Sequence, residues 1–124
     1  MLRYSTIFSN AIASAVSSPI NTGNARSVTI HAVVNTIGGT STLSVEISND
    51  GTNWMVYKKL ISNLTNSNSQ TLTRVASLSL GPDTTMSIAS FSPEDAIYYA
   101  RLRLTIGGGT YTVGIAIDDT DLVL

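Results

Sequence analysis

The chain has 124 residues, 43% of them hydrophobic and 12% charged, with 7 Lys+Arg against 8 Asp+Glu and no cysteine. That length suits one domain around one core. The missing cysteine excludes a disulfide framework, a thiolate nucleophile and a Cys-based zinc site, and the single histidine leaves little imidazole chemistry. The net charge of −1 lacks the basic footprint that nucleic acid or an anionic membrane surface selects, so neither is an expected partner.

At the N-terminus, Arg3 precedes an apolar stretch ending in Ala13-Ser14-Ala15, which imitates a signal-peptide cleavage site. Ser9 and Asn10 break the run, however, and Tyr4 to Phe8 is compatible with a strand. The expectation is therefore an N-terminal strand followed by an extended arm or long edge segment over residues 9–25, rich in Ser, Ala and Asn. No stretch approaches the 18 apolar residues of a membrane-spanning helix.

Beyond the arm, strict alternation dominates. Val28, Ile30, Ala32 and Val34 point one way and Thr29, His31, Val33 and Asn35 the other. Leu43, Val45 and Ile47 alternate with Ser44, Glu46 and Ser48. The same holds for Ala100, Leu102, Leu104 and Ile106 against Tyr99, Arg101, Arg103 and Thr105, and for Tyr111, Val113, Ile115 and Ile117 against Thr112, Gly114 and Ala116. A period of two marks half-buried antiparallel strands. Between them, Ile37-Gly38-Gly39-Thr40, Asn49-Asp50-Gly51, Gly81-Pro82-Asp83 and Gly107-Gly108-Gly109 carry turn chemistry, which predicts that the strands they join are adjacent. The Asn/Ser-rich run from Ile61 to Gln70 reads as an exposed loop. Ser92-Pro93-Glu94-Asp95 reads as one short helical turn.

About eight strands follow, near 3–8, 26–36, 42–48, 53–60, 70–80, 84–91, 97–106 and 109–118. Without helices their apolar faces must bury against another sheet. The predicted fold is all-β: a single antiparallel β-sandwich over 1–124, jelly-roll-like, with residues 1–25 as strand and arm and 26–124 as the core.

The strongest local motif is SNDGTNW at 48–54, a tight turn that delivers Trp54 beside the preceding strand. Such a tryptophan has a structural use as a packed indole. It also has a functional one, with Trp54 and Asn53 offering a stacking face and an amide to a sugar ring. A strand followed by S-N-D-G-x-x-W is similar to the hairpin of discoidin-type, coagulation-factor C-like sandwiches that bind glycans. Together with Ser18-Pro19-Ile20, Gly23, the Gly-Gly turn and Tyr99-Ala100-Arg101-Leu102-Arg103-Leu104 before a Gly-rich turn, it resembles small β-sandwich structural proteins of tailed-phage virions over most of the length. The chain departs from the discoidin pattern in lacking its terminal cysteine pair and its customary length. SPEDAIYYAR at 92–101 resembles the approach to a late strand in immunoglobulin variable domains, with Ala100 in the cysteine position. That likeness implies a sandwich corner bridged by Tyr98 or Tyr99.

Other candidates are plainer. Asp118, Asp119 and Asp121 could gather oxygens for calcium, but EF-hand spacing is absent and a solvated or interface-facing tail accounts for them. His31 is placed as a surface or interface residue. Arg101 with Arg103, and Lys58 with Lys59, either meet phosphates or carboxylates or blunt exposed sheet against unwanted pairing. Gly107-Gly108-Gly109 opens onto a strand, so no phosphate-binding loop is indicated. No nucleophile or paired-carboxylate constellation marks an enzyme, and no cofactor or metal is called for.

The phage resemblance implies a non-enzymatic virion protein, a capsid decoration (cement) protein or a related head or tail accessory subunit. Such a subunit forms a homo-oligomer, with a trimer favoured, and binds the major capsid or another virion protein. Leu122 and Leu124 at the C-terminal end, with Arg101 and Arg103, would suit such contacts. The alternative is a carbohydrate-binding module of discoidin-like type, stacking sugars on Trp54, Tyr57 or Tyr111 beside Asn53.

Overall fold

A computed structural model of the chain describes residues 2–23, 25–64, 72–81, 86–93 and 98–119. The alternating segments form strands whose apolar sets turn inward as expected. Val28, Ile30 and Ala32, with Leu102, Leu104, Tyr111 and Val113, are fully buried in one core. Among the described residues there is no helix, and twelve strands build two antiparallel sheets packed face to face.

The first sheet contains β1 (Leu2–Ala11), β12 (Thr110–Asp119), β4 (Ala25–Thr36), β10 (Met86–Phe91), β7 (Leu60–Leu64) and β8 (Leu72–Val75), in that spatial order. The second runs β2 (Ala15–Val16), β11 (Tyr99–Thr105), β5 (Ser41–Ser48) and β6 (Met55–Val56). Here β3 (Ile20–Asn21) also pairs with β11, and β9 (Leu78–Leu80) with β5. Taking β2 and β3 as one interrupted strand, the neighbours β1-β12-β4-β10 face β2/β3-β11-β5-β6. That is the wound order of a jelly roll, in which the chain changes sheet between successive members. The β7–β8 pair extends the first sheet beyond it.

This winding corrects several sequence expectations. The glycine turns at 37–40 and 107–109 do not join paired strands: β4 and β5, like β11 and β12, lie in different sheets. Gly81 likewise leaves β9 in one sheet for β10 in the other. Only the 49–51 turn returns to its own neighbour, with Glu46 opposite Val56 and Ile47 opposite Met55. The segments 53–60 and 70–80, each expected as one strand, divide because a sheet change falls inside each. Lys58-Lys59 and Ala76-Ser77 mark the breaks. Residues 61–64, expected in a loop, continue from Leu60 as β7 against β10, with Leu60 and Ser62 buried. The rest of that expected loop, 65–70, and Glu94 and Asp95 of the expected helical turn, lie outside the described residues. The expected arm is stitched down along most of its length. β1 is integral to the first sheet, and β2 and β3 sew the following segment to β11 of the second.

At the end of the sandwich where the glycine segments cross, backbone meets backbone. Gly108, at φ 152, lies against the Gly38 carbonyl, and a methyl group on Gly81 would come within 2.7 Å of the Gly39 oxygen. Tyr111, fully buried, secures the crossing: its hydroxyl donates to Gly108 O at 2.5 Å and accepts from Ser41 Oγ at 2.8 Å. Ser41 Oγ in turn accepts from Gly107 N at 3.0 Å. Among the described residues, the tyrosine hydroxyl that ties a corner is therefore that of Tyr111. Tyr98 is 48% exposed and meets Thr22 through its backbone carbonyl. Replacing Tyr111→Phe removes the short bond to the Gly108 carbonyl and the acceptor of the Ser41 hydroxyl, leaving that carbonyl and that hydroxyl hydrogen only their longer 3.4 Å contact with each other. It is expected to lower unfolding stability by about 1–3 kcal/mol in urea melts, with the far-ultraviolet spectrum unchanged.

Candidate functional site

The SNDGTNW turn is built around one carboxylate. Asp50 Oδ1 accepts from Ser48 Oγ at 2.9 Å, Thr52 N at 2.9 Å and Asn53 N at 2.8 Å, and Oδ2 accepts from Asn53 Nδ2 at 2.8 Å. Ser48 Oγ accepts from Gly51 N at 2.9 Å, and Gly51 supplies the turn's positive φ of 75°. The hydrogen bonds from Asn53 and Thr52, the Asn53 and Ser48 side chains adding to them, hold the Asp50 carboxyl far below its ordinary 3.8. A short acidic sequence thus folds into a self-satisfied loop that fixes Asn53 and Trp54 on leaving it.

Trp54 does not stand free at a loop tip. It is half-buried, with the Arg101 guanidinium carbon 4.4 Å from its ring centroid, a cation–π distance. Arg101 reaches that position because β11 pairs with β5 in a register that sets Arg101 directly opposite Glu46. Glu46 also takes Arg103, so its carboxylate lies 2.7 Å from Arg101 Nε and 3.2 Å from Arg103 Nε. The Glu46 side chain is only 12% exposed. Burial pushes its carboxyl up, but the hydrogen bonds from Arg103 and Arg101 outweigh that and hold it below the ordinary 4.5. The result is a ladder, Trp54–Arg101–Glu46–Arg103, lying across three segments of the second sheet.

Beside the ladder, Ile47, Ser48, Asn49, Asp50, Asn53, Trp54 and Met55 line an open cavity of about 500 Å³. Its floor is apolar and its rim carries two amides and the committed Asp50 carboxylate. Four hydrogen bonds from neutral donors within the turn fix the Asp50 carboxylate in place at this cavity.

Of the residues singled out in the sequence, Asn53, Trp54 and Arg101 meet here, with Arg103 one step along the ladder. Tyr57 does not join them. It packs against Phe91 with ring centroids 5.0 Å apart, and its amide donates to Val45 O at 2.8 Å. Tyr111 is overturned as a stacking platform, since it has no exposed surface. Leu122, Leu124 and Asp121 lie outside the described residues. Asp118 pairs with Arg26 at 2.9 Å and Asp119 with Arg3, so both acids serve ion pairs. No group of three or more metal-ligating side chains gathers among the described residues. His31 lies on the outer face of the first sheet with Nε2 2.8 Å from Met86 Sδ. Lys58 and Lys59 are exposed. The sequence reading passed over Glu46 as a hub. Its outward position was legible from the alternation, but the pairing of β5 with β11 that makes it meet two arginines was not.

Two antiparallel sheets in jelly-roll winding, with no helix among the described residues, define an all-β sandwich. The fold is similar to that of the SPBc2 prophage-derived protein YomS, known from a crystal structure, with a TM-score of 0.68 and 12% sequence identity over 94% of this chain and 92% of that one. At that identity the likeness shows the fold. No family model and no curated protein matches the chain. No helix among the described residues is long and apolar enough to cross a membrane.

Two outcomes test the site. With its folded-state carboxyl far below 3.8, Asp50 stabilises the fold above about pH 4, and that contribution fades as pH falls toward the folded value. The stability gap between the wild type and Asp50→Asn in urea melts should therefore narrow steadily from pH 5 to pH 2.5. Arg101→Ala uncovers one indole face, so Trp54 emission should shift to the red and its quenching by acrylamide should rise about twofold, with little change in melting temperature.

Proposed function

We propose that the protein is a non-enzymatic structural subunit of a phage virion, a capsid decoration (cement) protein or a related head or tail accessory subunit. It acts by binding surface to surface as a homo-oligomer, with the major capsid protein or another virion protein as partner. The observation that carries this reading is the fold: a jelly roll like that of a prophage-derived protein over nearly its whole length. The sequence pattern shared with phage sandwich proteins supports it. The described carboxylates are engaged in ion pairs and in the Asp50 turn, which is consistent with that reading. A subunit that binds only the assembled shell stabilises that shell by mass action. A closed ring of such subunits, a trimer by the family resemblance, multiplies the attachment points.

One observation favours a second reading, a carbohydrate-binding module. The cavity at Trp54 and Asn53 has the size and lining for a sugar ring.

The test begins with solution mass by light scattering, with and without calcium, followed by co-sedimentation with capsids and tails of the encoding phage. A discrete, calcium-independent oligomer that pellets with shells and raises their melting temperature is expected. A monomer with no affinity for any shell or tail component overturns the virion reading. If Trp54 emission then responds saturably to glycans, the second reading takes its place.

A further inference from the structure

We infer that β1 is a self-association edge, at which two copies of this chain pair strand to strand, antiparallel, about a twofold axis through Tyr4. The inference rests on the reading of the protein as a self-associating subunit and identifies the surface that does it.

β1 ends the first sheet and pairs only with β12 among the described residues, which leaves one side of its backbone with open donors and acceptors. Sheets usually guard such an edge with lysine, proline, short length or bulges. The ten residues LRYSTIFSNA contain neither lysine nor proline, and their one charge, Arg3, is already held by Asp119. The other outer strands are guarded. β6 and β2 have two residues each, β6 runs on to Lys58 and Lys59, and β8 has four residues and an exposed Arg74.

The register of β1 selects where pairing occurs. Its second half is bulged, with shifts after Thr6 and after Phe8 and with Asn10 at φ 51. The first half is regular, Leu2 to Thr6 running unbroken against Asp118 to Gly114. Tyr4 is the centre of that five-residue run. An antiparallel copy therefore sets Tyr4 opposite Tyr4 of the partner subunit, Leu2 opposite Thr6 of the partner subunit, and Arg3 opposite Ser5 of the partner subunit. No like charges meet.

The side chains suit this register. Leu2 and Tyr4 are 69% and 61% exposed, apolar surface that a lone subunit leaves in water. The Tyr4 ring leans back over Gly114 of the neighbouring β12, close enough that a Cβ there would meet its hydroxyl end, so the ring lies over its own sheet and does not block the open edge. Side chains directly opposed in an antiparallel pair have Cβ atoms about 4.5–5.5 Å apart, within reach of an aromatic pair. The contact is isologous and closes on itself. A strand pair of this length falls below the roughly 1,200 Å² of a stable complex, so the association is reversible and concentration-dependent.

Because the chain has no cysteine, a single introduced thiol reports the contact cleanly. Under mild copper-phenanthroline oxidation, Tyr4→Cys should form a disulfide dimer at least tenfold faster than Arg74→Cys, placed on the opposite edge. Sedimentation of the wild type should show even multiples of the subunit mass, a dimer, or a hexamer where threefold contacts also form. Tyr4→Lys, which opposes two ammonium groups, should halve that mass with an unchanged far-ultraviolet spectrum. Equal cross-linking rates, or a wild type that is strictly monomeric or strictly trimeric, would overturn the β1 contact. A strict trimer that still binds shells would do so while leaving the virion reading intact, and even multiples without shell affinity would do the reverse.

Discussion

The crossing of three glycine segments at one end of the sandwich is the constraint on which the rest of the structure depends. A jelly roll must carry its chain between sheets repeatedly, and here the crossings from β4 to β5 and β11 to β12, with Gly81 at the end of β9, lie so close that main chain packs on main chain. A side chain at Gly108 or Gly81 would push the sheets apart there. The Tyr111 hydroxyl then closes the site with polar bonds, donating to the Gly108 carbonyl and accepting from Ser41, which in turn accepts from Gly107 N. With that end fixed, the relative register of the two sheets is set. The strands left at the outer positions, β1 and β8 in one sheet and β2 and β6 in the other, follow from it.

The outer surface is quiet for a related reason. Each carboxylate among the described residues has a named donor: Asp50 in its turn, Glu46 between two arginines, Asp118 on Arg26 and Asp119 on Arg3. Exposed ion pairs of this kind add little stability singly. Asp118 and Asp119 each offset one arginine, whereas Glu46 is shared by two and Asp50 is held by neutral donors.

Much of the fold was legible because alternation is a local signal. The sets at Val28 to Val34, Leu102 to Leu104 and Tyr111 to Ile117 are buried as the sequence implies, since a one-residue slip would expose every member. What escaped was the pairing. A Gly-Gly step reads the same whether it closes a hairpin or turns a corner between sheets, because both need positive φ and slim backbone, and the choice is made by strand partners far away in the sequence. The sheet changes inside 53–60 and 70–80 escaped for the same reason. The candidate site divides along this line. The Asp50 cage, all within Ser48–Asn53, was foreshadowed by its motif, whereas the Glu46 hub and the Tyr111–Ser41 hydrogen bond depend on contacts of long sequence separation.

That division bears on how the protein works. The locally encoded turn is rigid and self-satisfied, suited to display Trp54 and Asn53 without spending any of its own hydrogen bonds on a partner. The globally encoded feature, an edge strand left flat over five residues while its second half is bulged away, has unsatisfied backbone as its chief asset. Bulges at Phe8 and Ala11 already protect half of β1, so the same device was open to the other half. Its regularity there, with a glycine beneath exposed Tyr4, is a hazard for a chain that stays alone, because a bare edge invites indiscriminate pairing. On the proposed reading of a self-associating subunit, a second copy covering the edge removes that hazard.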